Sequence, residues 1–348
     1  MINYFFISSP LHFCIATNLA ISNKDDQNIA LFISKNKATV NQYSKATKYF
    51  NTIFNETFDL SINPERNKLK EIKYCFKKIE KIITLLPANK IFTGNDRRLE
   101  FQFTMYKTRL INHNVEGIYI DDGAISYIGH KSINNLLHKY VDPYLKKLMF
   151  GTWWKSALTT GSSSWISKAY LAMPSNAHPL LQTKELIAIK QEVFCSEEFL
   201  KVNDFLIATY NGLTKIDFLN VKVVLCLPYE SLYLHDQTFL SNISKAILKD
   251  YKAEELAIKA HPRSKNISVL KENFPRSMSL PNTLAMELLL PNLTDNTSII
   301  GDVSTALLTA KWLKPNLKVK AFEINNIPNN LKILFQKLGI EFVNIRSH

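Results

Sequence analysis

Glycine is scarce in this chain, 9 residues in 348, and no tract is biased toward Gly, Pro or Ser, which excludes collagen-like repeats and long flexible linkers. Cysteine is scarcer still. The four thiols, Cys14, Cys75, Cys195 and Cys226, form no CxxC pair and have no histidine at metal-ligand spacing, so neither a zinc site nor a disulfide framework is expected. They read as buried thiols of a reducing compartment. Uninterrupted apolar runs of ~18 residues or more are missing, so no transmembrane helix is expected. The segment Met1 to Ile21 lacks the basic flank and small-residue cleavage site of a signal peptide, which makes a cytoplasmic location the expectation. No internal repeat, zinc finger, RNA-recognition motif or basic helix-turn-helix is legible.

What is present is a globular composition, 46% hydrophobic and 21% charged, with a formal net charge of +13. Such an excess of cations acts on association more than on folding. Its lysines are dispersed, which argues against nucleic acid and leaves anionic small substrates or a lipid surface. His138 to Lys168 mixes Lys146, Lys147, Lys155 and Lys168 with Tyr140, Tyr144, Phe150, Trp153, Trp154 and Trp165. That mixture suits peripheral contact with an anionic inner membrane, or an ordinary amphipathic helix and loop at a domain edge.

The length exceeds the ~250–300 residues at which single cores stop growing, so two domains are expected. Short apolar runs at Ile2–Ser8, Ile29–Ile33, Lys90–Thr93 and Gly117–Ile120 alternate with helical patterns, among them Tyr74–Leu86 with lysines on its outer face. A second series follows, with strands at Val221–Leu227, Leu256–Lys259, Ser298–Ile300 and Val319–Glu323, and helices at Leu240–Tyr251, Leu284–Leu290 and Thr305–Trp312. Strands alternating with helices predict α/β domains with parallel sheets. The expected division is an N-terminal domain over residues 1–185, an inter-domain region over 186–215, and a C-terminal domain over 216–348. Ligands of such sheets lie beyond the carboxyl ends of the strands.

Three strand ends carry chemistry. Ile118–Ile120 leads into Asp121-Asp122-Gly123; neighbouring carboxylates raise each other's proton affinity and supply a base, or they form a solvated turn. Leu256–Lys259 leads through Ala260 into His261-Pro262-Arg263, which with Lys259 places Lys, His and Arg, each able to meet an anion, within five residues. The dipeptide alone means little, because His178-Pro179 is the same pair without the strand. Ser298–Ile300 leads into Gly301-Asp302-Val303-Ser304-Thr305 at the start of a helix, where hydroxyls and amides either cap the helix or hold a phosphate. Glu287, early on an apolar helix, suits a ribose diol or the surface. Ser8-Ser9-Pro10 and Gly94-Asn95-Asp96 end two further strands.

In order and spacing, these motifs resemble those of the bacterial GT-B sialyltransferases, which include lipooligosaccharide sialyltransferases, polysialyltransferases and multifunctional enzymes. The resemblance rests on Asp121-Asp122-Gly123, His261-Pro262 and Ser304-Thr305, with Glu287 in a similar Pro-Asn context and Ile7 to Leu11 similar to the opening of the lipooligosaccharide family. It implies two Rossmann-like domains facing a central cleft, and inverting transfer of sialic acid from CMP-N-acetylneuraminic acid to a glycan of the O-antigen, lipooligosaccharide or capsule. Asp121 would be the base, with Asp122 as its substitute, and His261 the group that meets the leaving phosphate. Lys259 and Pro262 would flank the cytosine, Glu287 would take the ribose, and Ser304 and Thr305 the phosphate, with Arg263 nearby. Ser8, Ser9, Pro10, Asn95 and Gly123 would serve as loop or acceptor contacts. No obligatory metal or other cofactor is expected, and the acceptor would be lipid-linked. Another CMP-activated nonulosonate or Kdo would use the same nucleotide residues; a non-catalytic nucleotide- or glycan-binding protein is the reading from a different class.

Overall fold

In a computed structural model of the chain, the described residues are all except 34–36, 63–66, 131–141, 211–217, 235–236, 265–267, 324–326 and 345–348. The chain divides into two compact units, Met1–Leu206 and Ile207–His348.

The first unit holds β1 (Ile2–Ile7), α1 (Pro10–Ser22), β2 (Gln27–Phe32), α2 (Lys37–Tyr49), β3 (Glu56–Asp59), α3 (Lys68–Leu85), β4 (Lys90–Thr93), α4 (Leu99–Ile111), β5 (Glu116–Ile120), α5 (Ile125–Ile128), α6 (Asp142–Phe150), β6 (Ile166–Leu171), β7 (Glu185–Ala188) and α7 (Glu197–Ala208). Its seven strands are ordered β3-β2-β1-β4-β5-β6-β7, and all pairings are parallel. Side chains alternate across the sheet with the period of two that strands impose. Tyr4 and Phe6 face a core with Ile79 and Ile83 of α3 and Phe101 of α4. Phe5, on the other face, stacks on Phe92 of β4 with ring centroids 4.5 Å apart.

The first helix, α1, begins where the sequence demands it. Ser9 is extended at the N-cap, its Oγ accepts the His12 amide at 3.2 Å, and Pro10 supplies a preset φ in the first turn. His12 through Ala20 are all buried. The polar Asn18 in that run is accommodated because its amide donates to the Lys190 carbonyl at 2.7 Å.

The second unit holds β8 (Val223–Cys226), α8 (Ser231–Leu234), α9 (Gln237–Leu248), β9 (Leu256–Lys259), α10 (Ser268–Asn273), β10 (Met278–Leu280), α11 (Met286–Leu289), β11 (Ser298–Gly301), α12 (Thr305–Leu313), β12 (Lys318–Phe322), α13 (Asn329–Lys337) and β13 (Glu341–Val343). The order β10-β9-β8-β11-β12-β13, again parallel throughout, repeats the doubly wound pattern of the first sheet. Each sheet therefore reverses its strand order once, at β1/β4 and at β8/β11, where open α/β sheets bind ligands.

Some expectations differ from the structure. The division falls inside α7, within residues 186–215, but those residues are not a plain connector, because β7 joins the first sheet. Cys14, Cys75 and Cys226 are buried, but Cys195 is exposed. The tryptophans of the basic aromatic segment are not at an interface: Trp154 and Trp165 are buried, and Trp153 packs edge-on against Phe103 at 5.7 Å. Lys168 is paired with Glu116 at 3.1 Å. His138 and Tyr140 lie outside the described residues. No helix among the described residues is long and apolar enough to cross a membrane.

Candidate active site

In the first unit the turns after β1, β4 and β5 meet at one rim of the sheet. Asp121 and Asp122 leave β5 in different environments. Asp121 is 2% exposed, and both its oxygens are occupied. Oδ1 accepts the Gly123 amide at 2.8 Å, and Oδ2 accepts the Ala172 amide at 2.8 Å together with the Tyr127 hydroxyl. Burial pushes its carboxyl above the usual range, against the opposing pull of these hydrogen bonds. It thus ties the end of β5 to α5 and to the residue after β6. Gly123 follows at φ 72°, a left-handed conformation in which a side chain would be strained.

Asp122 points the other way. Its amide donates to Ser126 Oγ at 2.9 Å, and Ser126 is in turn bonded to the buried Tyr119 hydroxyl at 2.8 Å. Its side chain is 23% exposed, and Oδ1 lies 2.9 Å from His12 Nε2. The other ring nitrogen of His12, Nδ1, lies 2.9 Å from Ser8 Oγ. The imidazole, 2% exposed, rests on Gly94; a Cβ at that glycine would come within 1.9 Å of His12 Nε2. His130, just past α5, is within electrostatic reach of Arg97, Asp122 and Asp96, and partial desolvation of its ring, followed by Arg97, holds its pKa below the usual histidine value.

The remaining acceptor-side candidates shape turns. Ser9 is spent on the α1 cap and Pro10 on its first turn. Asn95 Oδ1 accepts the Arg97 amide at 3.1 Å. Its neighbour Asp96, fully buried, takes the Gly161 and Ser163 amides at 2.8 and 2.7 Å. Of the Ser8-Ser9-Pro10 run, only Ser8 joins the cluster.

In the second unit, β9 ends at Lys259 and leads through Ala260 to His261. Its Nδ1 accepts the Arg263 amide at 3.1 Å, so in the neutral ring the proton sits on Nε2, available to donate. This geometry is local to the dipeptide: His178 Nδ1 accepts the Leu180 amide at 3.2 Å in the same way, because proline offers no amide and the next residue does. Position on the sheet separates the two. Burial first, then Arg263 and Lys259, holds His261 below the usual histidine value. The ring of Tyr229, after β8, stands edge-on to it at 5.4 Å. Pro262 and Arg263 are exposed.

Lys259 and Glu287 are both buried. Lys259 Nζ donates to the Asn282 carbonyl at 3.3 Å, and the Asn282 amide donates to Ser264 O at 3.0 Å. Together they bind the turn carrying His261 to the turn after β10. Glu287 accepts the Thr309 hydroxyl at 3.1 Å, joining α11 to α12. Ser304 caps α12 in backbone only. Its φ and ψ, −146° and 166°, match those of Ser9, −146° and 163°, yet its hydroxyl makes no capping hydrogen bond. The helix starts at Thr305, so the Ser304 hydroxyl stands beside its first amides without capping them. Burial raises the Asp302 carboxyl just before it.

The profile of the alpha-2,8-polysialyltransferase family matches residues 3–322. The chain belongs to that family. It is a glycosyltransferase, and its chemistry is sialyl transfer. No curated protein matches this polysialyltransferase-family chain in sequence. Among solved structures it is similar to the α/β-galactoside α-2,3-sialyltransferase of Photobacterium phosphoreum, with a TM-score of 0.61, 12% identity, and 99% of this chain and 98% of that one covered. It is similar to the sialyltransferase of Photobacterium damsela at TM-score 0.58 and 14% identity, over 98% and 81%. The UDP-GlcNAc 2-epimerase of Methanocaldococcus jannaschii also matches at TM-score 0.58 and 11% identity, over 99% and 89%. At these identities the likeness is one of fold, the GT-B architecture, and a transferase and an epimerase share it.

His12, Ser126, Tyr127 and Tyr229 carry no motif and are missed by reading the sequence, and Asn282 enters there only as context for Glu287. Only His12 leaves a trace: it stands four residues after Ser8, one turn into a helix that directly follows a strand, where side chains four apart meet.

Proposed function

We propose that the chain transfers sialic acid from CMP-sialic acid to a hydroxyl of a bacterial surface glycan, with inversion and without a metal. One observation carries the reading: the rims of the two sheets hold complementary chemistry, a half-exposed carboxylate in the first unit and hydrogen-bond donors suited to a phosphate in the second. Asp122, rather than Asp121, takes the acceptor proton, because Asp121 has no oxygen to spare. The acceptor oxygen then bonds to the anomeric carbon as the bond from that carbon to the phosphate oxygen breaks, through an oxocarbenium-like state. The electron pair leaves on CMP. His261 Nε2–H, Ser304 Oγ and the first amides of α12 receive its charge, and the exposed Pro262 and Arg263 border the nucleotide. Lys259 and Glu287, being buried, hold the turns around it.

Release of CMP from CMP-N-acetylneuraminic acid in EDTA, with and without sialylated and lactose-terminated acceptors, tests this. Acceptor-dependent release, abolished in Asp122→Asn and His261→Ala, is expected. Turnover only with CMP-Kdo would transfer the reading to that donor; CMP binding without turnover of any CMP-sugar would leave a binding protein.

A specific observation favours a lipid-linked acceptor at an anionic membrane. On α6, Tyr144, Leu145, Leu148 and Met149 are between 47% and 74% exposed and follow one another at helical spacing, with Lys147 also exposed. Apolar side chains flanked by cations suit a lipid surface. The protein should sediment with phosphatidylglycerol vesicles, be released by salt, and lose binding in Leu145→Glu/Leu148→Glu; sedimentation unchanged by that double substitution would end the idea.

A further inference from the structure

The phosphate-facing turns of the second unit have a neighbour to which no role has been given. β8 is the strand between β9 and β11, and its Cys226 is in register with Lys259 on one side and Gly301 on the other. The Leu227 amide extends the first pairing by one step, donating to the Lys259 carbonyl at 2.9 Å. The turn after β8 therefore leaves the sheet between the turns that carry His261 and Ser304, at the reversal of strand order where ligands of such sheets lie. Tyr229 stands on that turn, two residues past Leu227 as His261 is two past Lys259. Pro228 before it is buried, and the Tyr229 carbonyl accepts the Leu232 amide at 3.0 Å. Tyr233, four residues on, belongs to the hydrophobic core. The backbone under Tyr229 is thus anchored, while the residue itself is 41% exposed.

An exposed tyrosine is ordinary in itself. What marks this one is its contact, with its ring centroid 5.4 Å from that of His261 and the two planes at 68°, an edge-to-face arrangement that aromatic pairs favour. His261 has need of such a support. The bond that its Nδ1 accepts from the Arg263 amide lies at the surface, where water competes for both groups. We propose that Tyr229 is a positioning residue for the leaving group, its ring holding the His261 imidazole in the orientation in which Nε2–H meets the phosphate of the CMP-sugar. The Arg263 amide fixes one nitrogen and Tyr229 packs on the ring, so rotation of the side chain is checked at two points. A donor placed in advance where charge develops needs no reorganisation as the bond breaks. The aromatic ring does this, and the tyrosine hydroxyl takes no part.

The inference rests on His261 being the group that meets the phosphate, and the test separates the two. Transfer from CMP-N-acetylneuraminic acid is followed in Tyr229→Phe, Tyr229→Leu, His261→Ala and the double variant Tyr229→Leu/His261→Ala. In histidine-labelled protein the ring C–H resonances of His261, assigned by their loss in His261→Ala, are followed by NMR. Tyr229→Leu should lower kcat by about 10–100-fold, the scale on which misplacing a reacting group by about an ångström costs rate, with the donor KM little changed. The His261 resonances should shift in the same variant as the tyrosine ring current is lost. Tyr229→Phe, which keeps the ring, should recover both the rate and the resonances. The double variant should be no slower than His261→Ala. If Tyr229→Leu does not fold, Tyr229→Met, with similar bulk and no ring, takes its place. Wild-type turnover by His261→Ala would remove the leaving-group reading and this inference with it. A slow His261→Ala beside a normal Tyr229→Leu would overturn the inference alone. So would a slow Tyr229→Phe, for the hydroxyl would then be the working group, or a loss in Tyr229→Leu that adds in full to that of His261→Ala, for Tyr229 would then act independently of the imidazole.

Discussion

Substituting Asp121 by Asn puts an amide where Ala172 N–H and the Tyr127 hydroxyl already point as donors. Leaving those groups without an acceptor should cost roughly 2–3 kcal/mol, read as a lower midpoint in urea. The same substitution at Asp122 should leave stability near wild type and reduce kcat by about 10²–10⁴-fold, the usual contribution of a general base. The two measurements together decide which carboxylate works and which one braces. A second residue-scale outcome concerns His261. Its pKa lies below the usual histidine value, so the free ring is neutral at neutral pH, and a phosphate beside it favours the protonated form. CMP binding should therefore take up a proton and tighten as pH falls toward the ring's own value, by at most about tenfold per pH unit. Calorimetry in buffers of different ionisation enthalpy should register that uptake in the wild type and lose it in His261→Asn.

Among elements, the sharpest contrast is between the starts of α1 and α12. Both begin at a serine with nearly the same backbone angles, but only Ser9 spends its hydroxyl on the cap. Ser9→Ala should lower stability by about 1 kcal/mol, the typical value of a lost N-cap, without affecting CMP. Ser304→Ala should leave stability within a few tenths of that of the wild type and weaken CMP binding, which thermal melts with and without CMP would separate. The strands that a reader can find in the sequence are the central ones. β1, β8 and β9 are short, mostly apolar runs, polar only at Asn3 and Lys259, because helices cover both faces. Edge strands β3, β7 and β13 carry exposed positions, and β6 is broken by Ser167 and Lys168, so neither kind shows as a run. The residues 186–215 look like a connector for that reason. Likewise Asp121-Asp122-Gly123, His261-Pro262 and Ser304-Thr305 are legible as strand-end motifs, whereas the division of labour inside the first depends on Ala172 and Tyr127, which only the packing of β6 and α5 brings to it.

For the whole molecule, the charge of +13 and the exposed apolar residues of α6 lead to one expected dependence. Association with anionic vesicles should weaken as salt shortens the Debye length below about 10 Å, while CMP-sugar hydrolysis without a lipid acceptor should change far less. Measuring both across the same salt series separates surface attraction from nucleotide recognition. The two units also repeat one strand order, each reversing at the pair where its chemistry gathers. Under the proposed function, recognition of the activated sugar and activation of the receiving hydroxyl belong to different compact units of the chain, which meet in sequence within α7. Inheritance can act on them one at a time. A chimera that exchanges the part from Ile207 onward with that of a relative should, if the proposed function holds, change which sugar is donated and keep the glycan that receives it, so that a new product needs only recombination within one gene.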